Sequence, residues 1–172
     1  MFPIQARQAA LRANTLFRGN KRANRYDDEW YTPDYIVEAL GVFDMDPCAG
    51  PKRFAKLNIS LPEDGLKCDW QGRVWLNPPY STIEDWIKKF VAHRDGIILV
   101  NARPETQWFQ YLARNASMIL WLKGRLAFGH AGNMSKRATV GSVLVAYGQN
   151  NAIVISRSGL DGIQTIVVNS VL

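Results

Sequence analysis

The stretch RVWLNPPYSTIEDWI, residues 73–87, constrains the fold more than any other part of the chain. Its apolar run Val74-Trp75-Leu76 reads as a strand. Pro78 and Pro79 lack an N–H and have a fixed φ, so neither can continue a sheet ladder. The strand therefore ends at Asn77. Ser81 or Thr82 suits a helix N-cap, and Ile83, Trp86, Ile87 and Phe90 fall on one face of the helix that follows. A stiff, exposed backbone segment must sit between a strand and a helix.

The neighbouring sequence repeats this alternation. TPDYIVEALG predicts a helix with Thr32 as cap, Pro33 in the first turn and Gly41 after the end. VFDMD predicts a strand running into the turn PCAGP, and residues 54–60 a further strand. GIILVN reads as a buried strand, ETQWFQYLAR as a helix and SMILWLK as a strand. TVGSVLVAYG, AIVIS and IQTIVV then read as strands separated only by turns. Alternation first and consecutive strands last predict a mainly parallel α/β sheet with an antiparallel hairpin at one edge. Ligands of open α/β sheets bind beyond the carboxyl ends of the strands. Asp46, Asn77, Asn101 and Lys123 fall at such ends, so PCAG, PPYS, ARPET and GRLAF are expected to converge on one crevice.

Asn-Pro-Pro-Tyr in that crevice suits one kind of chemistry. An exocyclic amine on an aromatic ring has a delocalised lone pair and is a weak nucleophile. Acceptors on both of its N–H bonds hold it while the nitrogen turns pyramidal and frees the pair. The Asn77 side-chain oxygen can take one hydrogen and the Pro78 carbonyl the other. Pro78 and Pro79 fix both acceptors in advance. Tyr80 can stack on the ring, a contact worth roughly 1–3 kcal/mol. A rigid structural turn is the alternative reading of the four residues. His93, near a helix end, and His130, in a loop, are expected at the surface without a role.

Among 172 residues, 47% are hydrophobic and 21% charged, which fits one globular domain with a full core. The net charge of +6 leans towards an anionic partner. Residues 1–27 are expected to form a basic N-terminal arm or helix carrying Arg7, Arg12, Arg18, Lys21, Arg22 and Arg25, and residues 28–172 the domain proper. Cys48 and Cys68 form no metal-binding or disulfide pattern and fit a reducing cytoplasm. No apolar run approaches the ~20 residues of a membrane helix, and the N-terminus does not read as a signal peptide.

Six segments resemble, in order, the small phage-type DNA N-6-adenine-methyltransferases, the Dam-like group: DEWYTP (28–33), FDMDPCAG (43–50), DGLKCDW (64–70), NPPYSTIEDWI (77–87), NARPETQWF (101–109) and GRLAF (124–128). The resemblance implies a class I methyltransferase (Rossmann-like) fold, S-adenosylmethionine as methyl donor and adenine in double-stranded DNA as acceptor, with no metal. It implies that Trp30, Thr32 and Pro33 hold the methionine end of the cofactor. Asp46, Pro47, Cys48, Ala49 and Gly50 correspond to the first cofactor loop, and Asn77, Pro78, Pro79 and Tyr80 to the target-amine motif. Phe128 corresponds to the second face of a stack around an extruded base. Asp64 or Asp69 matches the acidic position for the cofactor's ribose or adenine, with Asp64 favoured and Glu63 the other candidate. A turn or cap role is the alternative for both aspartates. Only 27 positions separate Gly50 from Asn77, room for one reduced strand–helix unit.

Arg103 and Arg125 are either phosphate contacts or salt-bridge partners, Arg103 with Glu105. Lys136 and Arg137 close the polar segment 129–139 and suit phosphate contact or a solvated loop tip. Three rival functions remain. An N-4-cytosine DNA methyltransferase and a protein-glutamine methyltransferase need the same amine chemistry, and a DNA-binding accessory protein without catalysis needs only the basic surface.

Overall fold

In the computed structural model, which describes residues 30–60, 63–130 and 136–168, strand β2 (Phe43–Asp46) pairs in parallel with β3 (Ala55–Asn58) and β4 (Val74–Leu76). β4 pairs in parallel with β5 (Gly96–Asn101). β9 (Ser142–Tyr147) lies between β5 and β6 (Met118–Leu122), antiparallel to both, and β10 (Gly162–Ile166) closes the far edge antiparallel to β6. The order of the seven-stranded sheet is β3-β2-β4-β5-β9-β6-β10. A small second sheet joins β1 (Trp30–Tyr31), β7 (Ala127–His130) and β8 (Lys136–Arg137) in the order β1-β7-β8.

The central strands are apolar throughout because both of their faces are covered. Leu76, Ile98, Val100, Val143 and Val145 pack with α2 (Ile83–His93) and α3 (Gln107–Arg114). Trp75, Ile97, Leu99, Leu144 and Ala146 pack on the other side with α1 (Asp34–Leu40) and α4 (Gln149–Arg157). Among the described residues, two helices therefore cover each face. Ile83, Trp86, Ile87 and Phe90 of α2 are all buried, each worth about 1.5–3 kcal/mol of transfer free energy.

The strands expected at VFDMD, 54–60, RVWL, GIILVN, SMILWLK, TVGSVLVAYG and IQTIVV are present, with bounds adjusted by a few residues. AIVIS is not a strand: residues 149–157 form α4. Ile153-Val154-Ile155 favours extended backbone locally, but tertiary packing prevails. Gly148, at φ 87°, breaks the chain out of β9, and Asn151, Ala152 and Ile155 are buried at helical spacing. The expected terminal hairpin is thus absent. β9 enters the interior of the sheet, and β10 alone takes the edge beside β6. One cap assignment differs: Pro33, not Thr32, occupies the N-cap of α1. Thr82 is the N-cap of α2 as expected, but its hydroxyl accepts from Trp86 Nε1 rather than from a backbone N–H of the first turn. Ser81 and Thr82 belong to a 3-10 turn, Tyr80–Thr82. His93 is half-buried, bonded through Nε2 to the Gly72 carbonyl oxygen, and His130 ends β7 rather than lying in a loop. The basic arm of residues 1–27 lies outside the described residues.

Asn151 explains why α4 is fixed in this place. Its buried carboxamide accepts from Arg73 Nε (2.6 Å) and donates to Asp95 Oδ1 and the Tyr147 carbonyl (2.7 Å each). Arg73 continues to the carbonyls of Val42 and Leu40. Asn151→Ala strips these partners and is expected to lower the unfolding free energy by about 2–4 kcal/mol. The check is urea denaturation, with the midpoint falling at unchanged slope.

Candidate active site

Strands β2, β4 and β5 run in parallel, so their carboxyl ends meet at one edge of the sheet. Asp46 ends β2, Asn77 follows β4 and Asn101 ends β5. A cavity of about 170 Å³ opens beside them. Asn77, Pro78, Tyr80, Leu99, Asn101, Phe128, Arg137 and Thr139 are among the residues that line it. For scale, an engineered apolar cavity of roughly 150 Å³ admits benzene.

Each group of the loop is held from outside it. Asn77 Nδ2 donates to the buried Thr32 Oγ1 at 3.1 Å, which sets the rotation of the amide. Tyr80 Oη accepts from the Asn101 N–H at 2.5 Å, and the tyrosine ring lies edge-on to Trp108 at 6.5 Å. Pro78 is buried beneath. Phe128, on β7, is buried as well. β7 pairs with β1 through Tyr31 and Gly129, so the hairpin carrying Phe128 is bonded to the strand that leads into Thr32.

The segment after β2 packs against the same structure. Asp46 is buried, and its Oδ1 accepts from the Cys48 N–H at 3.0 Å. Burial pushes the Asp46 carboxyl up to about 7, against the opposing pull of the Cys48 N–H and the charge of Arg53. Pro47 and Ala49 are buried, Cys48 is half-buried and Gly50 is exposed. A Cβ on Gly50 would lie 3.1 Å from the Tyr31 ring, so the two segments meet where only a glycine is comfortable. Gly65 makes a closer approach: a Cβ there would lie 1.8 Å from the Pro47 carbonyl oxygen.

The sequence-predicted residues separate into two groups. Asn77, Pro78, Tyr80, Phe128 and Arg137 line one cavity, with Thr32 and Pro33 adjoining through the Asn77 bond and Pro79 leading into the 3-10 turn. Trp30 and Lys136 lie on β1 and β8 of the small sheet. Asp64 is next to Gly65 and so beside Pro47, but its carboxylate accepts from the Leu66 N–H (3.0 Å) and pairs with Lys67 (3.3 Å). The first of these holds it below the usual range. Glu63 and Asp69 are exposed on the same connection, which shows no helix among the described residues. Asp44 turns away from the crevice, bonded to the Arg73 N–H and Lys56. Arg103 pairs with Glu105 at 3.7 Å on the surface, and Arg125 is exposed; neither lines the cavity. Sequence reasoning did not single out Thr139 or Tyr31, and it placed Asn101 only at a strand end. A polar residue closing the apolar run GIILV was the available signal for Asn101.

Among the described residues, no helix is long and apolar enough to cross a membrane, and no group of three His, Cys, Asp or Glu side chains is placed to hold a metal ion. A seven-stranded α/β sheet with helices on both faces, and an Asn-Pro-Pro-Tyr loop on its ligand edge, is compatible with a Rossmann-like methyltransferase fold. The family model described as DNA N-6-adenine-methyltransferase (Dam) matches residues 19–160, and this chain belongs to that family. A DNA N-6-adenine-methyltransferase of Haemophilus phage HP1 (strain HP1c1) is 32% identical over 107 residues, 55% of this chain and 62% of the relative. Another of the same name, from Escherichia phage T1, is 29% identical over 133 residues, 71% of this chain and 56% of the relative. The chain thus spans roughly three-fifths of the length of each.

The raised Asp46 pKa predicts a slope in stability. An unfolded aspartate titrates near 3.9, so between about pH 4 and the folded value of about 7 the native state holds the extra proton. Asp46 then makes unfolding easier as pH rises through that window, with no further change above it. Asp46→Asn retains an acceptor for Cys48 and should remove this fall. Denaturant titrations of both proteins across the window are the check.

Proposed function

We propose that the chain transfers a methyl group from S-adenosylmethionine to the exocyclic amine of adenine in double-stranded DNA, on a reduced class I methyltransferase fold. The observation that carries this reading is the single cavity shared by Asn77, Pro78, Tyr80 and Phe128. Family membership and the two phage relatives named as N-6-adenine-methyltransferases support it. A base inside a duplex presents no accessible amine, so the target adenine must rotate out of the stack. Tyr80 and Phe128 then offer it two aromatic walls, and Arg137 and Lys136 lie at the hairpin base where a strand backbone would pass.

Bound S-adenosylmethionine supplies an electrophilic methyl group on its sulfonium. The residues that suit it are Thr32 and Pro33, the buried Asp46, and the Pro47–Gly50 turn that packs on Tyr31. A cationic ligand favours the ionised form of Asp46, so its affinity should strengthen as pH rises towards 7. Asn77 Oδ1 and the Pro78 carbonyl take the two hydrogens of the amine. The prolines and the Thr32 bond fix both acceptors before the base arrives, so no reorganisation is needed at transfer. Asn101 holds Tyr80 by its hydroxyl, which keeps the stacking ring in register with the acceptors. Among the described residues, the cavity lining carries no carboxylate or imidazole, and water can take the surplus proton after transfer.

Asn77→Ala should reduce turnover by about 10²-fold or more while leaving S-adenosylmethionine affinity, measured by calorimetry, unchanged. Lost affinity with normal residual turnover would reverse the assignment of Asn77. Thr32→Val removes the acceptor that sets the Asn77 amide and should lower kcat, with Thr32→Ser restoring it. Equal activity of the valine and serine variants would confine Thr32 to packing.

A further inference from the structure

Beside the cavity lies a polar pair, Asn101 in its lining and Ser142 next to Asn101, that the proposed amine chemistry does not use. Asn101 ends β5, and residues 97, 99 and 101 alternate onto the face of the sheet that also carries Phe128 and Trp75. Asn101 is among the residues that line the cavity. Its backbone N–H is given to Tyr80, but its carboxamide makes no hydrogen bond with any described residue. Ser142 is its direct partner across the antiparallel β5–β9 ladder, so the two side chains stand on the same face. The Ser142 side chain is buried, and its hydroxyl also lacks a hydrogen-bond partner among the described residues. Buried polar groups in folded proteins are almost always paired. The Ser142 hydroxyl is an exception, and the half-buried Asn101 carboxamide stands next to it at the edge of a cavity that Leu99, Pro78 and Phe128 also line.

A carboxamide carries one acceptor and two donor hydrogens, the combination that matches the amine edge of adenine. That edge places a ring-nitrogen acceptor on either side of the amine, N1 in the six-membered ring and N7 in the five-membered ring. We propose that, when an extruded base enters, the Asn101 carboxamide turns so that its N–H donates to one of these ring nitrogens and its Oδ1 accepts from the neighbouring Ser142 hydroxyl. The contact registers the base in its own plane. Asn77 and Pro78 hold the amine; Asn101 fixes the ring from which it projects. Asn101 is thereby a residue that reads base identity. The inference rests on the reading of this cavity as the base site and deepens it.

The test uses short duplexes with one mapped target adenine, replaced in turn by 1-deazaadenine and 7-deazaadenine. Each analogue keeps the amine and deletes one candidate acceptor. Wild-type kcat/KM should fall by roughly tenfold to hundredfold on one analogue and stay near its adenine value on the other. Asn101→Ala should show a similar loss on adenine, with S-adenosylmethionine affinity retained and no additional loss on the sensitive analogue. Non-additivity of that kind marks a direct contact. Losses that multiply on both analogues, or normal turnover by Asn101→Ala, would overturn the assignment. If Asn101→Ala does not fold, wild-type enzyme indifferent to both analogues overturns it equally. Ser142→Ala should unfold at the wild-type denaturant midpoint yet lose several-fold in kcat/KM; full activity would remove Ser142 from the proposal. Asn77→Ala, run alongside, separates the two levels: turnover surviving it rejects the cavity as the base site, whereas loss there with additive Asn101 effects rejects only the reader.

Discussion

One hydrogen bond ties the parts of this molecule together: Asn77 Nδ2 to Thr32 Oγ1, with the threonine buried. An asparagine at the open end of a strand would otherwise sample several rotamers, and the bond to the Thr32 hydroxyl holds one of them. Thr32 in turn is held because the preceding β1 is bonded to β7 and the following Pro33 begins α1. Pro78 and Pro79 fix the backbone on the other side. The acceptors proposed for the amine are therefore set by a segment 45 residues upstream.

The same economy appears where the loops approach one another. Gly50 lets the turn after β2 lie on Tyr31, and Gly65 lets the next connection lie on the Pro47 carbonyl. Lys89 of α2 clamps that connection by donating to the carbonyls of Leu66 and Cys68, and Trp70 Nε1 closes it on the Gly65 carbonyl at 2.7 Å. A short connection without a described helix thus packs against the proposed cofactor turn at the Gly65 backbone. The buried Asp46 carboxyl is left with a pKa near neutrality, poised to respond to a cation.

Much of this was legible in the sequence because the chemistry is local. Prolines end β4 wherever the rest of the chain goes, and PCAG is a turn because small residues and Pro47 leave little else. The parallel strands followed from alternation, and their carboxyl ends gave the crevice. What was hidden depends on partners distant in sequence. AIVIS has the composition of a strand, and it becomes a helix through the partners of Asn151, which are Arg73, Asp95 and the Tyr147 carbonyl, and through the burial of Ala152 and Ile155. Thr32 has the composition of a cap, and only Asn77 draws its hydroxyl away. The three-stranded sheet that brings Phe128 and Arg137 to the cavity joins residues about a hundred positions apart, a pairing that no periodicity announces. Arg103 illustrates the reverse: its surface pairing with Glu105 is local, and such a pair contributes little to stability.

The central claim is that a proline-framed pair of acceptors holds a nucleobase amine next to a methyl donor. Its most direct test is incubation of the full chain with radiolabelled S-adenosylmethionine and unmethylated DNA, followed by digestion to nucleosides and chromatography. Label is expected in N-6-methyl-2′-deoxyadenosine alone. Label in methylcytosine, label in protein, or no transfer at all would contradict it.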